Sequence, residues 1–202
     1  MSFAVRPTEI VAVMGRSGSG KSTLLACLGL LTTYDRGVVS IANVDSSRLT
    51  DRRRARLRNT HIGFVFQSYS LVAHLSAAEN VELPLLYGRR MSRAKRKERV
   101  CSALEMVGLS DRADSRPKHL SGGEQQRVAV ARGLIKEPKI VLADEPTGAL
   151  DVDTGSIVWD LLADTARKSG AALLVVTHDE IVAQRADRVL SLQTGVLTTV
   201  AL

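Results

Sequence analysis

Residues 15–22 read Gly-Arg-Ser-Gly-Ser-Gly-Lys-Ser. This is G-x-x-x-x-G-K-[ST], a spacing that lets the backbone curl its N–H groups inward around a polyphosphate. A helix opening at the lysine would add its positive dipole end to the same cradle. Lys21 is placed to reach the β- and γ-phosphates of a nucleoside triphosphate, and Ser22 to ligate Mg²⁺. Gly15, Ser17, Gly18, Ser19, Gly20, Lys21, Ser22 and Thr23 are therefore candidate nucleotide-binding residues. Far along the chain, Asp144 and Glu145 end an apolar run. A carboxylate at Asp144 can hold Mg²⁺ through water opposite Ser22. Side chains alternate along a strand, so Glu145 faces elsewhere and is the candidate general base that orients an attacking water. Adjacent acids at a strand end also occur as a plain solvated turn; the phosphate loop is what gives this pair its meaning.

These residues need elements to hold them. Residues 9–14 (EIVAVM) read as a strand running into the glycine-rich loop, and residues 22–31 (STLLACLGLL) as the helix that follows. Residues 139–143 (KIVLA) and 171–177 (AALLVVT) are nearly continuous apolar runs, as parallel strands covered on both faces require. Between them, Ile157, Leu161, Leu162 and Thr165 fall near helical spacing and Gly170 supplies a stop, which makes a β-α-β crossover. In the middle, Val100, Ala103, Leu104 and Val107 predict a helical insert over residues 91–107. Two short apolar runs around Thr194-Gly195 predict a closing β-hairpin over residues 188–201.

Composition sets the outer bounds. The chain has 202 residues, 45% hydrophobic and 24% charged, which suits one folded domain. Its excess of 7 positive charges is local. Arg52, Arg53, Arg54, Arg56 and Arg58 form one run; Arg89, Arg90, Arg93, Lys95, Arg96, Lys97 and Arg99 form another. Outside these runs the chain is mildly acidic, so they read as solvated or partner-facing patches rather than the footprint of a nucleic-acid binder. No apolar run approaches the ~20 residues of a membrane span, and the first residues do not read as a signal peptide. Cys27 and Cys101 lack metal or redox spacing and are expected to be small core residues of an intracellular protein.

Leu120-Ser121-Gly122-Gly123-Glu124-Gln125-Gln126-Arg127, set between the phosphate loop and Asp144-Glu145-Pro146-Thr147, resembles the signature of ATP-binding cassette (ABC) proteins. With Gln67 in GFVFQSYSLVAHLSAAENV and His178 in VVTHDE, the resemblance covers nearly the whole chain. It implies an α/β fold: a P-loop NTPase core with a mainly parallel sheet (about 1–66 and 137–202) and an inserted helical subdomain (about 67–136). In such proteins two cassettes bind ATP head to tail, each nucleotide lying between the phosphate loop of one copy and the signature of the other. By that resemblance Ser121, Gly122 and Gly123 meet the γ-phosphate in trans, Gln67 contacts Mg²⁺ and the attacking water, His178 contacts the γ-phosphate, and Asp151 contacts the opposing copy.

Within the superfamily, residues 57–85 look most like the ATPases of macrolide exporters, lipoprotein-releasing complexes and antimicrobial-peptide export. The implied cofactors are ATP and Mg²⁺. The implied partners are an integral membrane permease, docked along the region from Gln67 through the helical insert, and a second copy of the chain; the implied location is the cytoplasmic face of the membrane. The sequence departs from the family pattern in one respect. Only 14 residues precede Gly15, whereas family members carry two upstream strands with an aromatic that stacks on adenine. Phe3 is a poor substitute, so weakened adenine stacking and an exposed sheet edge are expected. Three alternatives stand beside the exporter reading: a cell-division-type cassette, a soluble cassette acting on nucleic acid, and a regulatory cassette with little or no ATP binding.

Overall fold

The computed structural model of the chain describes residues 1–88 and 90–200; Arg89 of the second basic run and Ala201, where the predicted hairpin ends, lie outside the described residues. Its main sheet has six strands in the order β4 (Ile62–Phe66), β5 (Ile140–Asp144), β6 (Ala172–Thr177), β1 (Ile10–Met14), β7 (Arg188–Gln193), β8 (Val196–Val200). The first five run parallel, and β8 closes antiparallel on β7. The turn between β7 and β8 places Thr194 and Gly195 at φ 45° and 78°, the left-handed pair that a two-residue hairpin loop demands. A small separate ribbon joins β2 (Ser40–Ile41) and β3 (Val44–Asp45).

The continuous apolar runs are explained by cover on both faces. Ile10, Ala12, Val141, Ala143, Leu173 and Val175 point into one hydrophobic cluster. Their neighbours Val11, Val13, Leu142, Leu174 and Val176 point into the other. The first cluster is roofed by α3 (Ala77–Leu86), α4 (Arg93–Met106), α5 (Gly122–Leu134) and α6 (Val152–Lys168). The second is roofed by α1 (Lys21–Leu28) through Leu25 and α2 (Asp51–His61) through Leu57. The short α7 (Glu180–Gln184) follows β6. No described strand lies between β4 and β5; α3, α4 and α5 fill that stretch.

Several expectations need correction. Helix α1 stops at Leu28, not near residue 31, because Gly29 caps it and Leu30 turns to φ 56°. On α6, Leu162 and Thr165 are buried as expected, but Ile157 is 62% exposed, and Val158, Trp159, Ala163 and Ala166 complete the buried face. Cys101 is exposed and Cys27 only half-buried, so neither is the expected core residue. Phe3 is half-buried and packs on the second cluster outside any described strand. The arginine run 52–58 is helix α2, and Arg54 and Arg58 are engaged: they donate to the carbonyls of Thr32 and Leu30 at 3.0 and 2.7 Å.

Candidate functional site

Four neighbouring parallel strands deliver their carboxyl ends to one place, and a candidate residue follows or ends each. The phosphate loop leaves β1 after Met14, Gln67 follows β4, Asp144 ends β5 with Glu145 next, and His178 follows β6. Register holds these ends level: Met14 pairs with Thr177, Asp144 with Val176, and Phe66 with Asp144. Open α/β sheets bind their ligands in this crevice. Here it is a cleft of about 580 Å³ lined by Ser17, Gly18, Gly20, Lys21, Ser22, Thr23, Gln67, Asp144, Glu145 and His178.

The loop is already curled. Gly18 and Gly20 take φ 79° and 94°, conformations that side chains oppose. Gly20 is the left-handed N-cap of α1 and offers no capping side chain, so the helix start is left open to an anion. Gly15 is required for closeness, since a Cβ there would lie 2.5 Å from Ser19 Oγ and 2.6 Å from the Leu192 carbonyl. Lys21 is only 9% exposed and donates to the carbonyls of Gly15 and Arg16 at 2.7 and 3.2 Å. Its ammonium is thus held across the mouth of the curl. Ser19 Oγ is buried with no partner, an orphan polar atom in a nest built for acceptors.

Glu145 occupies the cleft under backbone strain. Its φ is 46°, a left-handed setting that costs a non-glycine residue about 1 kcal/mol or more, held because its N–H donates to the Val176 carbonyl at 2.9 Å. The carboxylate is tied at both oxygens: Thr177 Oγ1 donates to Oε2 at 3.2 Å, and His178 Nδ1 lies 2.7 Å from Oε1. Its side chain is 12% exposed against 66% for His178. The histidine is the exposed partner of the pair. Gln67 lies against Gly148, whose added Cβ would sit 3.1 Å from Gln67 Nε2 and 3.4 Å from Glu145 Cβ.

Ser22, Gln67 and Asp144 all line the cleft and offer oxygen donors, a hard donor set that fits Mg²⁺. Among the described residues no three His, Cys, Asp or Glu side chains converge as a metal cage. Phosphate oxygens and water would therefore complete the shell, as Mg²⁺ prefers.

The signature does not line this cleft. Ser121 is the N-cap of α5 in a reciprocal box: Ser121 Oγ accepts from Glu124 N–H at 3.2 Å, and Glu124 Oε2 accepts from Ser121 N–H at 2.7 Å. The Ser121 N–H bond holds the Glu124 carboxyl below its usual value. Gly122 and Gly123 bring neighbours close: a Cβ would meet Tyr69 Oη at 2.9 Å from the first and Thr154 Cγ2 at 2.4 Å from the second. Asp151 caps α6, accepting from Thr154 N–H at 3.0 Å, and that bond likewise lowers its carboxyl pKa. Within one chain, then, Gly15 to Thr23, Asp144, Glu145, Gln67 and His178 are gathered, while Ser121, Gly122, Gly123 and Asp151 stand together around α5 and α6.

Three supporting residues were given no role from the sequence, although Gln126 and Thr177 lie inside motifs that carry the resemblance. Thr177, which orients Glu145, ends an apolar strand like any other polar boundary residue. Arg132, inside the apolar half of α5, donates to the carbonyls of Ser70 and Tyr69 at 2.6 and 2.7 Å; both residues have positive φ, 49° and 59°. Burial lowers the Arg132 pKa. It clamps the strained turn that follows Gln67 to the signature helix. Gln126 is fully buried and donates to the Pro146 carbonyl at 2.6 Å, tying α5 to the segment after Glu145.

Comparison with known proteins bears on the family and the fold. The lipoprotein-releasing system ATP-binding protein LolD of Legionella pneumophila (strain Lens) is 45% identical over 197 residues, which is 98% of this chain and 86% of that protein. The macrolide export ATP-binding/permease protein MacB of Burkholderia pseudomallei (strain 1710b) is 46% identical over 195 residues, but these span only 30% of it. Among solved structures, the ATP-binding cassette MJ0796, in a dimeric post-hydrolysis state bound to ADP and Pi, superposes with a TM-score of 0.87 at 41% identity, covering 99% of this chain and 89% of that one. The family profile described as ABC transporter matches residues 1–148. That stretch takes in the phosphate loop, the signature and the Asp144–Glu145 pair, and together with the LolD relative matched along 86% of its length it makes the chain a member of the ABC transporter family.

Proposed function

We propose that the chain is the ATP-hydrolysing subunit of a membrane export or extraction system, working as a head-to-tail dimer beneath a separate permease that handles a lipophilic or peptide substrate. The observation that carries this reading is the separation of the site into two halves. The cleft holds a phosphate cradle, a base and oxygen donors for a metal, while the capped start of α5, with Ser121, Gly122 and Gly123, lies apart from it. A second copy would supply the missing half. In the bound state Mg²⁺ would neutralise charge on the β- and γ-phosphates. Ser22, Asp144 and Gln67, which line the cleft, would hold it. Lys21 holds the transferred group's negative charge, Glu145 takes the proton of the attacking water, Thr177 fixes the Glu145 carboxylate, and His178 turns from Glu145 toward the γ-phosphate.

The named relatives favour export over the other readings, since one is a lipoprotein-releasing subunit and another a macrolide exporter. No described helix is long and apolar enough to cross a membrane. A groove of about 690 Å³ offers a seat for a permease. Its lining includes apolar Leu31, Phe64, Phe66 and Pro84 together with Arg56, Arg58 and Lys136. Burial lowers the Lys136 pKa. A colorimetric phosphate-release assay tests the reading: the chain should hydrolyse ATP only with Mg²⁺, and Lys21→Ala should abolish release. Undiminished turnover by Lys21→Ala would refute it.

A further inference from the structure

The nucleotide site leaves the two basic runs unused. On α2, Arg52, Arg56 and Asn59 recur at i, i+4 and i+7 and so share one face. Asn59 Nδ2 donates to the Tyr87 carbonyl at 2.9 Å, and Lys136 Nζ bridges Asn59 Oδ1 and that same carbonyl at 2.7 Å each. The arginine face of α2 therefore runs down to Tyr87 at the end of α3. Tyr87 is 67% exposed and Leu86 53%. Three residues on lies Arg90, and then Arg93 and Lys97, one turn apart at the start of α4. Arg52, Arg53, Arg90, Arg93 and Lys97 are all exposed. The ion pairs of these runs belong to Arg54, Arg96 and Arg99; among the described residues none is made by Arg52, Arg53, Arg90, Arg93 or Lys97.

Helix energetics argue against a folding role for these cations. Arg52 and Arg53 sit in the first turn of α2 and Arg93 opens α4, the ends at which the macrodipole opposes positive charge. Helix α4 has no acid in its first turn, and α2 has only Asp51. Cations placed where they weaken their own helices, on the two sides of an exposed leucine and tyrosine of which Tyr87, with Arg56 of α2, lines the groove assigned above to a permease, describe a surface that meets anions at a polar–apolar boundary.

We infer that the face formed by the start of α2, Leu86–Tyr87 and the start of α4 binds the anionic phospholipid headgroups of the membrane that holds the permease. The inference rests on the permease reading of the groove for its orientation. Lipid is favoured over an acidic protein segment because the cations are spread over two helices and none is aimed into a pocket by a hydrogen-bonded frame. A diffuse charged field with interfacial apolar side chains suits a charged sheet of headgroups. Each arginine near such a surface is worth about fivefold in binding.

Flotation of the full chain, without nucleotide, tests this with two vesicle types: phosphatidylcholine alone, and phosphatidylcholine with about one-third phosphatidylglycerol. Wild-type protein should float with the anionic vesicles only and be released by high salt. Arg52→Glu/Arg53→Glu/Arg93→Glu should bind them ~100-fold more weakly or worse. The same variant should keep its ATP hydrolysis in solution and melt no lower than wild type, because glutamate suits a helix start better than arginine. Equal flotation with both vesicle types would overturn the inference and leave an acidic protein segment as the occupant. Undiminished binding by the triple variant, displacement by inorganic phosphate at constant ionic strength, or lost binding with a lowered melting temperature would also overturn it. Failure of ATP hydrolysis in the wild type would instead strike the proposed function.

Discussion

Gly123→Ala puts the contact between signature helix and α6 to a quantitative test. An ideal Cβ at position 123 lies 2.4 Å from Thr154 Cγ2 and 3.8 Å from Thr154 Cβ. Carbon atoms settle about 3.5–4.0 Å apart, so the methyl must be displaced by more than about 1 Å. Thr154 is a poor candidate for that movement: it is β-branched, half-buried, and its N–H is fixed by Asp151 at 3.0 Å. Overpacking of this kind costs about 1–3 kcal/mol, which for a domain of this size lowers the melting temperature by roughly 2–12 °C. Thr154→Ala removes the offending Cγ2 and keeps the backbone N–H that caps α6, leaving only the ordinary 3.8 Å contact. Gly123→Ala/Thr154→Ala should therefore regain most of the lost stability, with a coupling of about 1 kcal/mol or more between the two changes. Urea unfolding of the four proteins measures it. Additivity within about 0.5 kcal/mol would refute the reasoning.

Arg132→Ala removes two charge-assisted bonds to the strained Tyr69–Ser70 turn; about 2 kcal/mol or more of stability should go with them, and hydrolysis should fall in kcat more than in KM because Gln67 is misplaced while the phosphate loop is intact. Steady-state kinetics and denaturant melts check both parts. The depressed Glu124 pKa gives a pH dependence. A carboxyl with a lower pKa folded than unfolded stabilises the fold above the unfolded value, here the ordinary 4.5, and that contribution is lost as pH falls through the folded value. Glu124→Gln should thus be less stable than wild type at neutral pH, and the gap should close as the pH falls through the lowered folded value; melting curves at neutral pH and through the acid range decide it.

Legibility followed physics element by element. β1, β5 and β6 announced themselves because burial on two faces demands unbroken apolar runs, and the phosphate loop because its glycines are needed for conformation. The closing hairpin was visible in Thr194-Gly195. Helix α2 was not: only Leu57 is buried, so no helical stripe exists, and the helix is docked instead by Arg54 and Arg58 on the carbonyls of Thr32 and Leu30. Ile157 misled the reading of α6 because an apolar residue at near-helical spacing can still fall on the solvent side. The gathering of Gln67, Asp144, Glu145 and His178 into one cleft depends on strand order, in which β1 lies between β6 and β7, and local pattern does not encode that order. The clamp by Arg132 joins residues 62 and 63 positions apart and leaves no trace in spacing.

The central claim is that two copies close around ATP with Glu145 as base, and sedimentation of Glu145→Gln with Mg²⁺ and ATP tests it most directly. Glutamine keeps the shape of the side chain but cannot take the water's proton, so hydrolysis should slow by ~10²-fold or more while binding survives. The variant should then sediment as a dimer with Mg²⁺ and ATP and as a monomer without nucleotide. Adding Ser121→Arg, which fills the start of α5 where the γ-phosphate of the other copy would dock, should return it to monomer. Wild-type hydrolysis by Glu145→Gln, or a dimer that persists in the double variant, would contradict the account.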